Sequence, residues 1–333
     1  MEKKGEMKKN AWVAIVTGII LNLSFDSHAA EVSKLGETSV LKWKDGKKAV
    51  FFMGFDDGCE SHIKTAIPLL RQHGMVGTFY LNQGTSYFRK VAEVWNKTMP
   101  ADPAVVYGNH TFTHAGATNA AQLDVDLSRS AEAIQACYPQ RKQPCLVSFA
   151  RPGGVPWKVS EEEKKAALSK YHLIERPAFF SYPFHVKTAD EVVGLVDKAL
   201  AKGDMGHLDF HGVGGDWLVT PTDIFTALLA KLAACKDQVW VTDHITYHKY
   251  LTERDSAQVK VVQADKEQIR LQLSSLAAQE LYDTELTLET CVPPEWKTCQ
   301  VEQGALRSEH PVIKGVVRYG SVPGAGVIAL RQK

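Results

Sequence analysis

The 333-residue sequence predicts an α/β domain followed by a small all-β, sandwich-like domain. Three observations carry that prediction. From about Lys42 to Arg254, short apolar runs alternate with longer amphipathic ones, the grammar of strands and helices taken in turn. After Arg254 the runs are short and strand-like, with Pro293-Pro294 and Pro323-Gly324 among their turns. Hydrophobic residues make up 44% of the chain and charged residues 23%, which excludes disordered, collagen-like and multi-span membrane proteins.

Residues 1–30 read as a secretory signal peptide. Four lysines precede an uncharged stretch from Ala11 to Phe25, and Ala29-Ala30 offer a small-residue cleavage site. Fifteen apolar residues are short for a span, which needs about 20. Export is therefore expected, to the periplasm or beyond, with no membrane attachment after cleavage. Removing residues 1–30 takes four basic and three acidic residues from totals of 39 and 38, leaving 35 of each. A mature charge near zero provides no field to gather nucleic acid or an anionic membrane. No obligate protein partner is evident.

The domain expected over residues 31–255 takes its strands from Ala49–Phe55, Gly77–Leu81, Leu146–Phe149, Leu208–Phe210 and Val239–Val241. Helices lie between them, three opening on capping boxes: Ser160 with Glu163, Thr188 with Glu191, and Thr220 with Asp223. Residues 256–333 supply the all-β domain, with strand-like runs at Val259–Val262, Ile269–Leu273, Glu285–Leu288 and Val312–Tyr319. Its Trp296 can brace the first domain or present an aromatic face. The six cysteines of an exported chain suggest disulfides, and spacing favours Cys137–Cys145 and Cys291–Cys299, leaving Cys59 and Cys235 to pair or stay as thiols.

Polar chemistry gathers in four segments. Gly54-Phe-Asp56-Asp57-Gly58 puts two carboxylates at a strand's carboxyl end, or else is a solvated turn. His110-Thr-Phe-Thr-His114 sets two imidazoles four apart, on one face of an expected helical turn. Two histidines and one carboxylate make a three-ligand set with an open position for water, and the second carboxylate is then free to act as a base. Arg151-Pro152-Gly153-Gly154 can orient a carboxylate and bring backbone N–H groups close to a ligand. Leu208-Asp209-Phe210-His211 ends a strand in a histidine.

In this order and at these strand ends, the four segments resemble the motifs of the polysaccharide deacetylases, carbohydrate esterase family 4, with its NodB-homology domain. The family's T-F-D-D-G is similar to residues 54–58, and its H-[ST]-x-x-H is matched in full by residues 110–114. The resemblance covers roughly residues 42–254. It implies a distorted, NodB-like β/α barrel holding a divalent metal, usually zinc, on Asp57, His110 and His114. It further implies Asp56 as general base, Arg151 as its orienting partner, His211 as general acid, and the Gly154 N–H as an oxyanion donor. The substrate implied is an acetylated carbohydrate polymer or oligomer. The aromatic usual in the third motif is Gly154 here, so Trp157 and Trp217 are candidates for a sugar-facing wall. No clear fourth motif lies between residues 155 and 200. Asp209, on the same strand face as His211, is the first candidate to tune it, and Asp243 the second. Two further readings stand beside this one, a silent carbohydrate-binding protein on the same fold and another metal hydrolase such as a phosphodiesterase.

Overall fold

The structure, a computed structural model, describes residues 35–333; the expected signal peptide lies outside the described residues. The first strand, β1 (Thr38–Val40), serves a sheet built mainly by the chain's far end. The second, β2 (Ala49–Asp56), is buried at all eight positions, as a strand covered on both faces requires. It centres a parallel sheet with β3 (Gly77–Leu81), β4 (Val105–Asn109), β5 (Val147–Phe149), β6 (Leu173–Glu175), β7 (Met205–Phe210) and β8 (Val239–Thr242), in the order β6-β5-β4-β3-β2-β7. Strand β7 occupies one edge of β2 from Val50 to Phe55. The other edge is shared, β8 lying beside Ala49–Phe52 and β3 beside Gly54–Asp56. The outer strands β6 and β7 are not paired with each other; the segment after β6 reaches β7 through the Ser181–Asp209 bridge, so the sheet is a half-closed, distorted barrel.

The crossovers are α1 (Ile67–Gln72), α2 (Ser86–Lys97), α3 (Ala120–Ala136), α4 (Glu161–Lys170), α5 (Ala189–Lys202) and α6 (Thr222–Ala234), and α7 (His244–Asp255) follows β8. Both α4 and α5 open on the expected capping boxes, with Ser160 and Glu163, then Thr188 and Glu191, exchanging bonds. The third box is not formed. Pro221 is the capping residue of α6, and Thr220 is buried in a bridge to Val213, out of reach of the helix. Strands β4 and β6 escape the sequence pattern because five and three residues of mixed character show no usable period.

From β9 (Gln258–Ala264) onward the chain is antiparallel: β10 (Gln268–Ser274), β11 (Leu286–Cys291), β12 (Thr298–Gln303), β13 (Leu306–Ile313), β14 (Val316–Ser321) and β15 (Val327–Gln332). With β1 they are ordered β1-β11-β14-β13-β12-β15-β10-β9. Strand β13 pairs with β12 from Leu306 to Pro311, then with β14 through Val312 and Ile313, so one strand turns the corner between two faces. The expected run Val312–Tyr319 is therefore two strands joined at Lys314-Gly315, both at positive φ as a tight hairpin requires. The faces enclose a core of Leu271, Leu288, Trp296, Val317, Tyr319 and Leu330, among others. Tyr250 of α7 is buried in it, and its hydroxyl donates to Leu41 O at 2.9 Å. Residues 35–333 form one compact unit containing both cores.

The expected disulfides are not formed. Cys137 Sγ donates instead to Ala133 O at 3.3 Å, Cys145 carries a free thiol, and Cys299 is a buried thiol. Short spacing is no guarantee of bridging geometry, which depends on where the intervening turn sends each Cβ. Among the described residues no helix is long and apolar enough to cross a membrane.

Candidate metal centre and active site

Strand β2 ends at the mouth of the half-barrel and delivers Asp56 and Asp57 there, both buried. Asp57 adopts φ 75°, a turn that swings its carboxylate away from the strand direction. Both its oxygens are held: Asn82 Nδ2 donates to Oδ1 at 2.8 Å and Trp217 Nε1 to Oδ2 at 2.9 Å. Gly54 matters one turn earlier, since a Cβ there would collide with Asp209 Oδ1.

The two histidines meet, but not on a helix. Residues 110–114 form an irregular loop in which Thr111 and His114 both have positive φ, 58° and 56°. Asp126 of α3 shapes it, accepting from Thr113 N at 2.9 Å and Thr113 Oγ1 at 3.0 Å, and Thr111 Oγ1 accepts from His114 N. His110 Nε2 lies 3.5 Å and His114 Nε2 3.4 Å from Asp57 Oδ1. A tetrahedral ion about 2.0–2.1 Å from each ligand sets its ligands roughly 3.3–3.4 Å apart, so both imidazoles stand at a suitable distance from Asp57, and all three donor atoms lie within 4.8 Å of one another, close enough to share one ion. Their chemistry agrees. His110 Nδ1 bonds to Ala150 O at 2.8 Å, and because a carbonyl only accepts, Nδ1 carries the hydrogen and Nε2 presents its lone pair. Burial also lowers the His110 pKa, against the pull of Asp56 and Asp57, favouring the neutral ligand form.

Asp56 stands beside this set, its Oδ2 4.0 Å from His110 Nε2. The sequence assigns Arg151 to orient it; the structure places Arg176 there. Arg176 Nη1 and Nη2 donate to Asp56 Oδ1 and Oδ2 at 2.6 and 2.8 Å, a bidentate pair, and Nη1 also reaches Asp209 Oδ1 at 3.1 Å. The guanidinium lies over the Tyr80 ring, 4.8 Å from its centroid. Burial alone would raise the Asp56 pKa, but Arg176 and the nearby histidines outweigh it and hold the carboxyl below the usual carboxylate range. Asp209 shifts the other way: burial and the Asp56 charge raise it against the single bond from Arg176. Arg151 is exposed, 4.9 Å from the centroid of the Trp157 ring. The reason is strand order: β6 brings its Arg176-Pro177 corner inward over Tyr80, while the Arg151-Pro152 corner after β5 turns outward. Both corners carry the Arg-Pro signal, and only packing separates them.

His211 Nε2 lies 3.8 Å from Asp57 Oδ2, across the carboxylate from His110. Neither residue expected to tune it does so. Asp209 faces Arg176 and the Phe180 N–H, and Asp243 caps α7. What holds His211 is His62, which sequence reasoning missed: its Nε2 donates to His211 O at 2.6 Å, and burial lowers its pKa to about 4, keeping it neutral. A cavity of about 690 Å³ joins Asp56, Asp57, the ligand histidines, Arg151, Gly154, His211 and Trp217. Trp217 forms part of its wall, edge-on to Tyr87; Trp157 sits behind Arg151 and does not line it. Phe179 and Phe184 supply the opposite aromatic rim.

Residues 43–172 match a family model described as polysaccharide deacetylase. Among solved structures, the chain is similar to a family 4 carbohydrate esterase pseudoenzyme from Bacillus anthracis, at 15% identity and TM-score 0.44, covering 59% of this chain and 64% of that one. A peptidoglycan deacetylase from Bacillus subtilis shows 14% identity and TM-score 0.43, covering 60% and 90%. A family 4 carbohydrate esterase from Streptomyces lividans, solved with acetate, shows 18% identity and TM-score 0.38, covering 58% and 92%. No curated protein matches the chain.

Proposed function

We propose that the chain, whose residues 43–172 match the polysaccharide deacetylase model, is an exported, metal-dependent hydrolase that removes acetyl groups from a polysaccharide or oligosaccharide. An N-acetylglucosamine-type amide is the first choice of bond and an O-acetyl ester the second. The observation that carries the proposal is the ion-paired Asp56 standing beside the Asp57, His110 and His114 triangle, a base next to a ligand set.

A divalent cation such as zinc, held by those three residues, supplies Lewis acidity that polarises the acetyl carbonyl and eases ionisation of a water. The chain's own residues do the rest. Asp56, kept ionised and fixed in direction by Arg176, accepts the water's proton as the acetyl carbon is attacked; its oxygens retain lone pairs beyond those given to the guanidinium. The N–H of Gly154, in a corner open to the cavity, donates toward the developing oxyanion. His211 Nε2, on the far side of Asp57, hands a proton to the departing amine or hydroxyl. Trp217 and Phe179 flank the cavity.

The test is acetate release from a panel of N-acetylated and O-acetylated oligosaccharides by native, chelated and zinc-restored protein. Release that chelation abolishes and zinc restores, and that Asp56→Asn lacks while still binding zinc, is the expected result. Zinc-loaded protein that releases acetate from no member of the panel overturns the proposal.

A further inference from the structure

Arg151 does not serve Asp56, and its surroundings suit another task. It lines both the metal-centre cavity and an adjoining groove of about 600 Å³ between the Arg151–Val155 and Glu175–Phe179 corners. No carboxylate among the described residues forms an ion pair with it. Glu175, the acidic residue of that groove, is engaged by Lys164 at 2.8 Å and so leaves Arg151 uncompensated. The guanidinium is nevertheless pre-oriented, stacked on Trp157, whose own backbone is pinned to Ala117. The two residues after Pro152 are glycines that line the same groove, and a Cβ at either would meet nothing within 4 Å, so the backbone there is open to a ligand. An uncompensated guanidinium held beside open backbone is a receptor for an oxyanion such as a carboxylate or a sulfate.

We propose that Arg151, with the Gly153 backbone, is an anion subsite that selects acidic glycans, in which the acetylated sugar neighbours one bearing a carboxylate or a sulfate. The inference rests on the deacetylase reading for the identity of the neighbouring sugar. It is a short-range device: with 35 basic and 35 acidic residues after position 30, the chain has no net field to gather anions, and discrimination falls to one contact in the groove.

Binding is measured by calorimetry on the zinc-loaded Asp56→Asn protein and on Asp56→Asn combined with Arg151→Ala or Arg151→Lys. The probes are neutral chitin tetramers, tetramers alternating N-acetylglucosamine with glucuronic acid, and sulfated N-acetylhexosamine tetramers. An acidic probe is expected to bind more tightly than the neutral one, and Arg151→Ala to weaken it roughly ten- to a hundredfold, the scale of one charge-assisted bond. Chitin binding should stay unchanged, Arg151→Lys should retain part of the preference, and the stronger acidic probe identifies the anion. Equal binding of acidic and neutral probes, or a loss falling equally on both in Arg151→Ala, overturns the subsite. Because binding is read without turnover, acetate release by wild-type protein on the same probes reports separately on the deacetylase reading.

Discussion

Arg176 is the residue on which the site's electrostatics turn. It balances Asp56 and Asp209, all three buried, so removing it leaves two carboxylates without a counter-charge. Arg176→Gln is expected to destabilise the fold by about 3–5 kcal/mol, the cost of breaking a buried pair, measured by denaturant unfolding. It should also move the acidic limb of the pH–rate profile to higher pH. The sign follows from the loss of the guanidinium: the Asp56 pKa rises, the base becomes protonated at a higher pH, and the rate falls away sooner on acidification. An unmoved limb would show that Asp56 is not the titrating base. The reverse case is Thr220, whose buried hydroxyl finds no partner among the described residues. Thr220→Val is expected to leave the melting temperature unchanged or raise it, since no hydrogen bond is lost.

At the scale of elements, the loop over residues 110–114 brings the ligands together, and α3 holds that loop through Asp126. Two residues of the loop at positive φ are strained conformations for non-glycine side chains, maintained by surrounding bonds. Asp126→Ala is therefore expected to weaken zinc binding roughly 10- to 100-fold, as loss of outer support does, with little change in far-ultraviolet circular dichroism. A competition titration against a zinc chelator reads this directly; unchanged affinity would mean the loop holds itself. The H-x-x-x-H spacing was legible in the sequence, but the irregular loop that carries it, in place of the expected helical turn, was not. Spacing reports which residues can share an ion, whereas φ at Thr111 and His114 is set by contacts from a helix that begins only at Ala120.

For the whole molecule, α7 is the shared element. Tyr250 is buried in the second core, and Glu253, itself buried, accepts from Thr284 N at 2.9 Å. Burial raises the Glu253 pKa to about 7, so the folded protein binds its proton more tightly than the unfolded chain. Stability from this group is full below its ordinary value near 4.5 and is lost as pH rises through about 7. Glu253→Gln should flatten that decline, and the difference in melting temperature between variant and wild type should grow from pH 5 to pH 8. A constant difference would place the titration elsewhere.

Much of this protein was determined by the sequence alone. Alternating strands and helices, the change of grammar after Arg254, two of three capping boxes and the Asp56, Asp57, His110 and His114 set all follow from local composition and spacing, which act over a few residues. Tertiary structure decided the rest: that Arg176 and not Arg151 grips Asp56, that His62 supports His211, that β1 crosses to the far sheet, and that Cys137 and Cys145 do not bridge. Each of those outcomes depends on strand order or on contacts between residues far apart in the chain. Arg-Pro dipeptides follow both β5 and β6, and the glycines after the first drew the sequence reading to it, whereas the folded half-barrel turns the second inward and the first out to the groove.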